Sequence, residues 1–174
     1  MKTNIQKSPK KWNITRVITS SNIILIFSII VIAICLIIDV PKKNKYVYLG
    51  ISFFLFLYLW INVITLASKT TEGEYNIGSK VKKLLKILFA MMLIYAAVYH
   101  ALYVMNNDFF LIQYTKSTNS YEQYFDMFYQ TSFFTMTTGL SDVIPLHKIP
   151  KTIVLTQYVI TIIVITYLLS KAIN

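Results

Sequence analysis

The sequence predicts an all-α integral membrane protein with four transmembrane helices plus one short re-entrant helix and loop. Three observations predict this. Hydrophobic residues fill 56% of the 174 positions and charged residues only 14%, with a mean hydropathy of +0.57. Four apolar stretches each reach the roughly 20 residues that a helix needs to cross a bilayer core about 30 Å thick. A fifth stretch, aromatic and apolar, lies between the last two spans and is too short to cross.

The N-terminal arm, residues 1–16, is polar and basic, with Lys2, Lys7, Lys10, Lys11 and Arg16. The net charge of +10 is not a nucleic-acid footprint, because the lysines flank apolar segments instead of forming one basic face. Lysines at segment ends anchor in lipid headgroups and set orientation. The first span, about Val17–Val40, has no small-x-small cleavage site, so it is expected to stay as a retained helix. Its Cys35 is a lone cysteine that can form neither an intrachain disulfide nor a thiolate cluster, and it is expected as a small buried apolar residue. The turn-like run Asp39-Val40-Pro41-Lys42-Lys43-Asn44 leads into the second span, about Tyr46–Ala67, making residues 17–67 a transmembrane hairpin. A connector over residues 68–83 follows. The third span is about Leu84–Met105 and the fourth about Thr152–Ser170, with residues 84–174 forming a second unit.

Charge fixes the orientation. Placing inside the N-terminal arm, the connector with Lys69, Lys80, Lys82 and Lys83, Lys86 at the start of the third span, and Lys171 leaves only Lys42, Lys43, Lys45, Lys116, Lys148 and Lys151 outside. Both termini are then cytoplasmic in a multi-pass cell-membrane protein, and the stretch 106–151 is external. The abundance of Lys, Ile and Asn matches an AT-rich, bacterial genome.

That external stretch contains Tyr121–Met136, preceded by Ser120, which with Gln123 fits a capping box. After about four turns come Thr137-Thr138-Gly139-Leu140-Ser141-Asp142-Val143-Ile144-Pro145, holding the only glycine of the C-terminal half. Irregular backbone survives at membrane depth only where protein buries it or water reaches it. A half-helix aiming its C-terminal end inward directs negative partial charge there. Threonine hydroxyls and free carbonyls beside it can replace a cation's hydration shell.

This segment resembles the two-transmembrane-pore potassium channel family. That family reads approximately Asp-Ala-Leu-Tyr-Phe-Ser-Phe-Val-Thr-Leu-Thr, then Thr-Val-Gly-Tyr-Gly-Asp-x-x-Pro. Without a gap, Asp126, Tyr129, Thr137, Gly139, Asp142 and Pro145 fall in register, and a helix follows Pro150. The resemblance covers about half the chain, from Leu84 onward. It implies that the third span is an outer helix, Tyr121–Met136 a pore helix and the fourth span an inner helix. Thr137, Thr138, Gly139, Leu140 and Ser141 would be the ion-binding selectivity filter, with Asp142 supporting it from behind. Potassium or another monovalent cation would be the permeant ion, held by Thr137, Thr138 and Gly139, with no other cofactor. One loop per chain implies a homotetramer.

The filter departs from the family at Thr138, Leu140 and Ser141, where Val, Tyr and the second Gly are usual. Ser141 would occupy a backbone position that favours glycine, and Leu140 cannot make the tyrosine's hydroxyl bond. The inner site at Thr137 is expected to persist, with weaker discrimination between potassium and sodium. A single-glycine Gly-Leu-Ser filter also resembles potassium-uptake transporter subunits. A non-conducting, channel-like accessory subunit is a further alternative.

The inner helix lacks a hinge glycine, so Thr156, Thr161, Thr166 and Ser170 either allow bending and line a cavity or simply pack. No helix carries the regular cations of a voltage sensor. The first two helices are expected to pack around the other two. His100 admits a proton or metal role, a neutral imidazole bonded to a neighbouring helix, or a place near the membrane interface. His147 is expected as a solvated loop residue. Glu122, Asp126 and Asp108 add external negative charge, as cation concentrators or as a solvated rim. Asn62 is expected as glue between helices. Trp12, Tyr46, Tyr48, Tyr103 and Tyr167 suggest interfacial belts. No nucleophile–base pair, phosphate loop or paired carboxylates point to an enzyme. The partners implied are lipid, copies of the chain and monovalent cations.

Overall fold

A computed structural model describes residues 21–68, 77–112, 119–136 and 143–173. Among these the chain is mostly helical, and three helices are long and apolar enough to cross a membrane.

The first described helix, α1 (Ser21–Ile37), covers 17 residues of the expected first span. Residues 17–20 of that span lie outside the described part. The expected turn is a single short helix, α2 (Val40–Lys43), entered through Asp39 at φ 56°. Aspartate tolerates this left-handed conformation because its short polar side chain can bond locally. Pro41 sits at the start of α2, where its missing N–H costs no helical bond. Helix α3 (Lys45–Ser68) begins after Asn44, whose Oδ1 accepts from the Val47 N–H at 3.2 Å. It lies within one residue of the expected second span at each end.

Helix α4 (Ile77–Met105) is longer than the expected third span because the helix continues through the polar run 77–83. Its apolar window is 72% buried, against 33% for α3 and for α6 (Lys148–Ile173). A helix that is apolar all round belongs in the middle of a bundle. Ala90, Ala96, Ala97 and Ala101 are all 1% exposed or less, and such small side chains let neighbouring helices approach closely. Helices α1, α3 and α6 all pack on α4, as does the shorter α5 (Ser120–Thr135).

Between α4 and α5 a 3-10 turn, Asn107–Phe109, leads into strand β1 (Phe110–Ile112). It pairs antiparallel with β2 (Val143–Pro145), joining Phe110 to Pro145 and Ile112 to Val143. The sequence pattern does not suggest these strands. They bring the end of α4 and the start of α6 together, so the intervening segment begins and ends at one end of the bundle.

Candidate functional site

The candidate site is the stretch between β1 and α6, built on helix α5. At 16 residues, α5 is about 24 Å long at 1.5 Å per residue, too short to cross a bilayer core. Its N-cap is Asn119, whose Oδ1 accepts from the Tyr121 N–H at 3.0 Å. This replaces the expected capping box at Ser120 and Gln123. Ser120 is instead the first helical residue, and its hydroxyl donates to Asp39 Oδ1 at 2.8 Å. Gln123 turns toward α4, with Oε1 at 3.4 Å from His100 Nε2.

His100 is fully buried and its Nδ1 lies 3.1 Å from the Tyr48 hydroxyl of α3. The imidazole therefore bridges the N-terminal hairpin and the start of α5. Its surroundings include Tyr124, edge-on at 6.1 Å. Of the alternatives that the sequence leaves open, a histidine hydrogen-bonded to neighbouring helices is the one found. Among the described residues no group of three or more His, Cys, Asp or Glu side chains is placed to hold a metal ion.

Two further bonds seat α5 on α4. The Tyr124 hydroxyl donates to the Leu93 carbonyl at 3.0 Å, and Thr131 Oγ1 to the Met92 carbonyl at 3.0 Å. The other flank is held by Gln157 of α6. Its Nε2 donates to the Thr131 carbonyl at 3.0 Å and to Thr135 Oγ1 at 2.8 Å. Its Oε1 accepts from the Tyr99 hydroxyl at 2.7 Å. Thr135 Oγ1 in turn donates to the Thr131 carbonyl at 2.8 Å. Sequence reasoning misses Gln157, Tyr99, Thr131 and Thr135 alike. A glutamine within an apolar span is the available signal, since such groups are costly without partners.

The C-terminal end of α5 is closed by the Met136 N–H bonding to the Ser132 carbonyl at 2.9 Å. The end of a helix carries roughly half a negative charge, and here that end adjoins the glycine-containing segment in sequence. The expected filter, Thr137, Thr138, Gly139, Leu140 and Ser141, with its support Asp142, lies outside the described residues. Its two flanks are described. Thr135 is buried on the near side and Val143 on the far side. Of the register anchors, Asp126 is half-buried on α5, within electrostatic reach of Tyr103. Tyr129 is half-exposed with its ring edge-on to Phe133 at 4.7 Å. Pro145 closes β2 opposite Phe110.

Other expected roles are adjusted. Tyr48 and Tyr103 are buried, at 1% and 4% exposure, so they are core residues and not belt residues as expected. Tyr46 at 68% is exposed, while Trp12 and the Tyr167 side chain lie outside the described part. Asn62 Nδ2 donates to the Tyr58 carbonyl of its own helix at 2.7 Å. That bond is intrahelical, not the expected link between helices. Its Oδ1, buried, has no partner among the described residues. Thr156 donates to the Ile153 carbonyl and lies 3.3 Å from the Tyr95 hydroxyl, so it packs. Thr161 Oγ1 is buried without a partner among the described residues, and Thr166 is exposed. The Ser170 side chain lies outside the described part. Cys35 is buried and free, as expected. His147 is exposed, with its ring edge-on to Phe109 at 5.4 Å. Glu122 and Asp108 are exposed, with Glu122 in the first turn of α5, where a carboxylate meets the positive helix end.

Comparison with protein-family models, curated proteins and solved structures finds no match to this chain.

Proposed function

We propose that this chain is the subunit of a homotetrameric cation channel in the cell membrane. Each subunit contributes four transmembrane helices and one re-entrant pore loop, and potassium is the ion favoured by the loop's chemistry. The observation that carries this reading is the seating of α5. A helix too short to cross is bonded to α4 on one side and α6 on the other, and its C-terminal end leads directly into the glycine-containing loop. The β1–β2 pairing supports re-entry, because the chain departs from and returns to one end of the bundle.

The roles follow from the chemistry. Carbonyls and threonine hydroxyls at Thr137, Thr138 and Gly139 replace the hydration shell of a monovalent cation, assisted by the negative end of α5. Leu140 and Ser141 form the outer part of the filter, and Asp142 supports it. A single loop supplies only one quarter of a ring, so four copies surround one axis. The bare stripes Tyr121, Phe125, Tyr129 on α5 and Leu155, Val159, Ile162 on α6 support burial against neighbouring copies. With leucine and serine in the outer loop, sodium is excluded only weakly.

Flux of potassium, then of sodium, into liposomes containing the purified protein tests this reading, with Gly139→Asp as the control. Flux that the control abolishes is the expected result. Equal silence of both proteins, with tetramers intact, would favour a second reading that the departures at Leu140 and Ser141 motivate: a non-conducting accessory subunit that keeps the fold. Conduction only with an added cytoplasmic nucleotide-binding regulator would favour a potassium-uptake transporter subunit.

A further inference from the structure

Gln157 is 0% exposed within the membrane-length window Lys148–Thr166 of α6. A leucine or methionine would fill the same space in a lipid-embedded bundle without having to satisfy two amide donors and an acceptor, and polar groups left unpaired at such a position are costly. The cost is met by three hydrogen bonds that reach two different helices. One, from Tyr99 of α4 at 2.7 Å, fixes the amide oxygen. The other two fix the amide nitrogen on α5, at the Thr131 carbonyl and Thr135 Oγ1. The orientation of the amide is determined, because the Thr131 carbonyl can only accept and would repel Oε1.

The place of attachment is specific. Thr131 and Thr135 form the last turn of α5, and Thr135 stands two residues before Thr137. The Thr131 carbonyl accepts from both Gln157 and the Thr135 hydroxyl, so the last turn is tied to α6 and to itself at one point. Bonds at the other end of α5, from Tyr124 and Ser120, set where the helix starts and do not reach its last turn. Gln157 joins that last turn to α6. Phe134, which packs edge-on to Tyr99 at 6.1 Å and Tyr158 at 6.0 Å, closes the same corner with apolar contact.

We propose that Gln157 is a specificity-determining positioning residue. By holding the last turn of α5 against α6 and α4, it fixes the helix end from which the chain continues to Thr137. This rests on the channel reading above. Ion discrimination depends on where a small number of oxygen ligands sit and how far they can yield. Releasing the turn lets the ligands relax around either ion, whereas a mere packing residue would change stability and leave discrimination intact.

The test compares the potassium-to-sodium permeability ratio of full-length tetramers in liposomes, alongside their melting temperature. Gln157→Met keeps length and bulk but removes all three bonds. Thr135→Val removes one acceptor, and Thr135→Ser restores it. The expected result is loss of most of the wild-type preference for Gln157→Met and Thr135→Val, the ratio falling toward one, with Thr135→Ser near wild type. If Gln157→Met fails to form tetramers, the Thr135 pair decides by itself. An unchanged ratio with a lowered melting temperature would overturn the inference, leaving Gln157 as structural glue and the channel reading intact. A wild type that conducts both ions equally would also overturn it, since no selectivity would remain to be held. Silent wild-type tetramers would remove the channel reading and this inference with it.

Discussion

The Ser120 hydroxyl donates to Asp39 Oδ1 at 2.8 Å, across 81 positions of sequence. This bond fastens the corner between α1 and α2 to the first residue of α5. Together with Tyr48–His100–Gln123, it gives the N-terminal hairpin a polar attachment to α5, beyond apolar packing.

His100 should therefore matter to stability. His100→Leu leaves the Tyr48 hydroxyl without its imidazole partner in a buried setting, and should cost about 1–3 kcal/mol. Tyr48→Phe should cost about 1 kcal/mol. Thermal unfolding of the purified protein in detergent measures both, and equal stability of His100→Leu and wild type would show that the bridge carries no weight.

Asp39 combines a left-handed backbone with a side-chain acceptor. Asp39→Asn keeps both and should be nearly neutral. Asp39→Val forces a β-branched residue to φ 56°, which costs about 1–2 kcal/mol before the lost bond to Ser120 is counted. The difference in melting temperature between the two variants checks this.

The start of α5 depends on Asn119. Asn119→Ala should destabilise by about 1 kcal/mol through loss of the cap, while Asn119→Asp or Asn119→Ser should hold. Limited proteolysis between residues 113 and 120 offers a local readout, with faster cleavage expected for the alanine variant.

Close packing around α4 leaves little room for growth. Ala97, at 1% exposure, cannot accept a larger side chain without displacing a neighbour, so Ala97→Leu should cost about 1–3 kcal/mol by overpacking. Ala97→Gly should be milder, at about 1 kcal/mol. Yield and melting temperature of the two variants give the comparison.

The outer loop offers a gain-of-function test of the proposed channel. Leu140→Tyr combined with Ser141→Gly supplies a hydroxyl and a residue that adopts a left-handed backbone at no steric cost. The double variant should discriminate potassium from sodium better than wild type, measured as the ratio of the two fluxes. An unchanged ratio would mean that those positions do not face the ion path.

Much of this architecture is legible from hydropathy. The expected Tyr46–Ala67 and Tyr121–Met136 each lie within one residue of α3 and α5, since near-continuous apolar content marks the first and a dense run of aromatic residues the second. The start of α4 lies two turns before the expected one because a helix can leave the lipid without ending, and residues 77–83 carry polar side chains that hydropathy discounts. Ser120 reads as a cap because its true partner, Asp39, is distant in sequence and close only in the fold. Tyr48 and Tyr103 suggest interfacial belts by their place near span ends, yet position along a helix does not reveal which face is turned inward. Strands β1 and β2 are three residues each, too short for any alternation to register. Gln157 is visible in sequence as a lone amide among apolar residues. Its partners are not, because Thr131, Thr135 and Tyr99 meet it only when three helices come together.

The central place of α4 bears on how far the chain can be dissected. Helices α1 and α3 lean chiefly on α4 and only slightly on each other. A fragment trimmed to start at α4 would strip Cys35 and Tyr48 from Ala101 and leave His100 without its Tyr48 partner. A fragment ending at α3 would present the Tyr48 hydroxyl directly to lipid. The shortest self-sufficient unit of this protein thus includes the hairpin, and a transplant of α4, α5 and α6 into another scaffold would need new partners for the hairpin-facing side of α4.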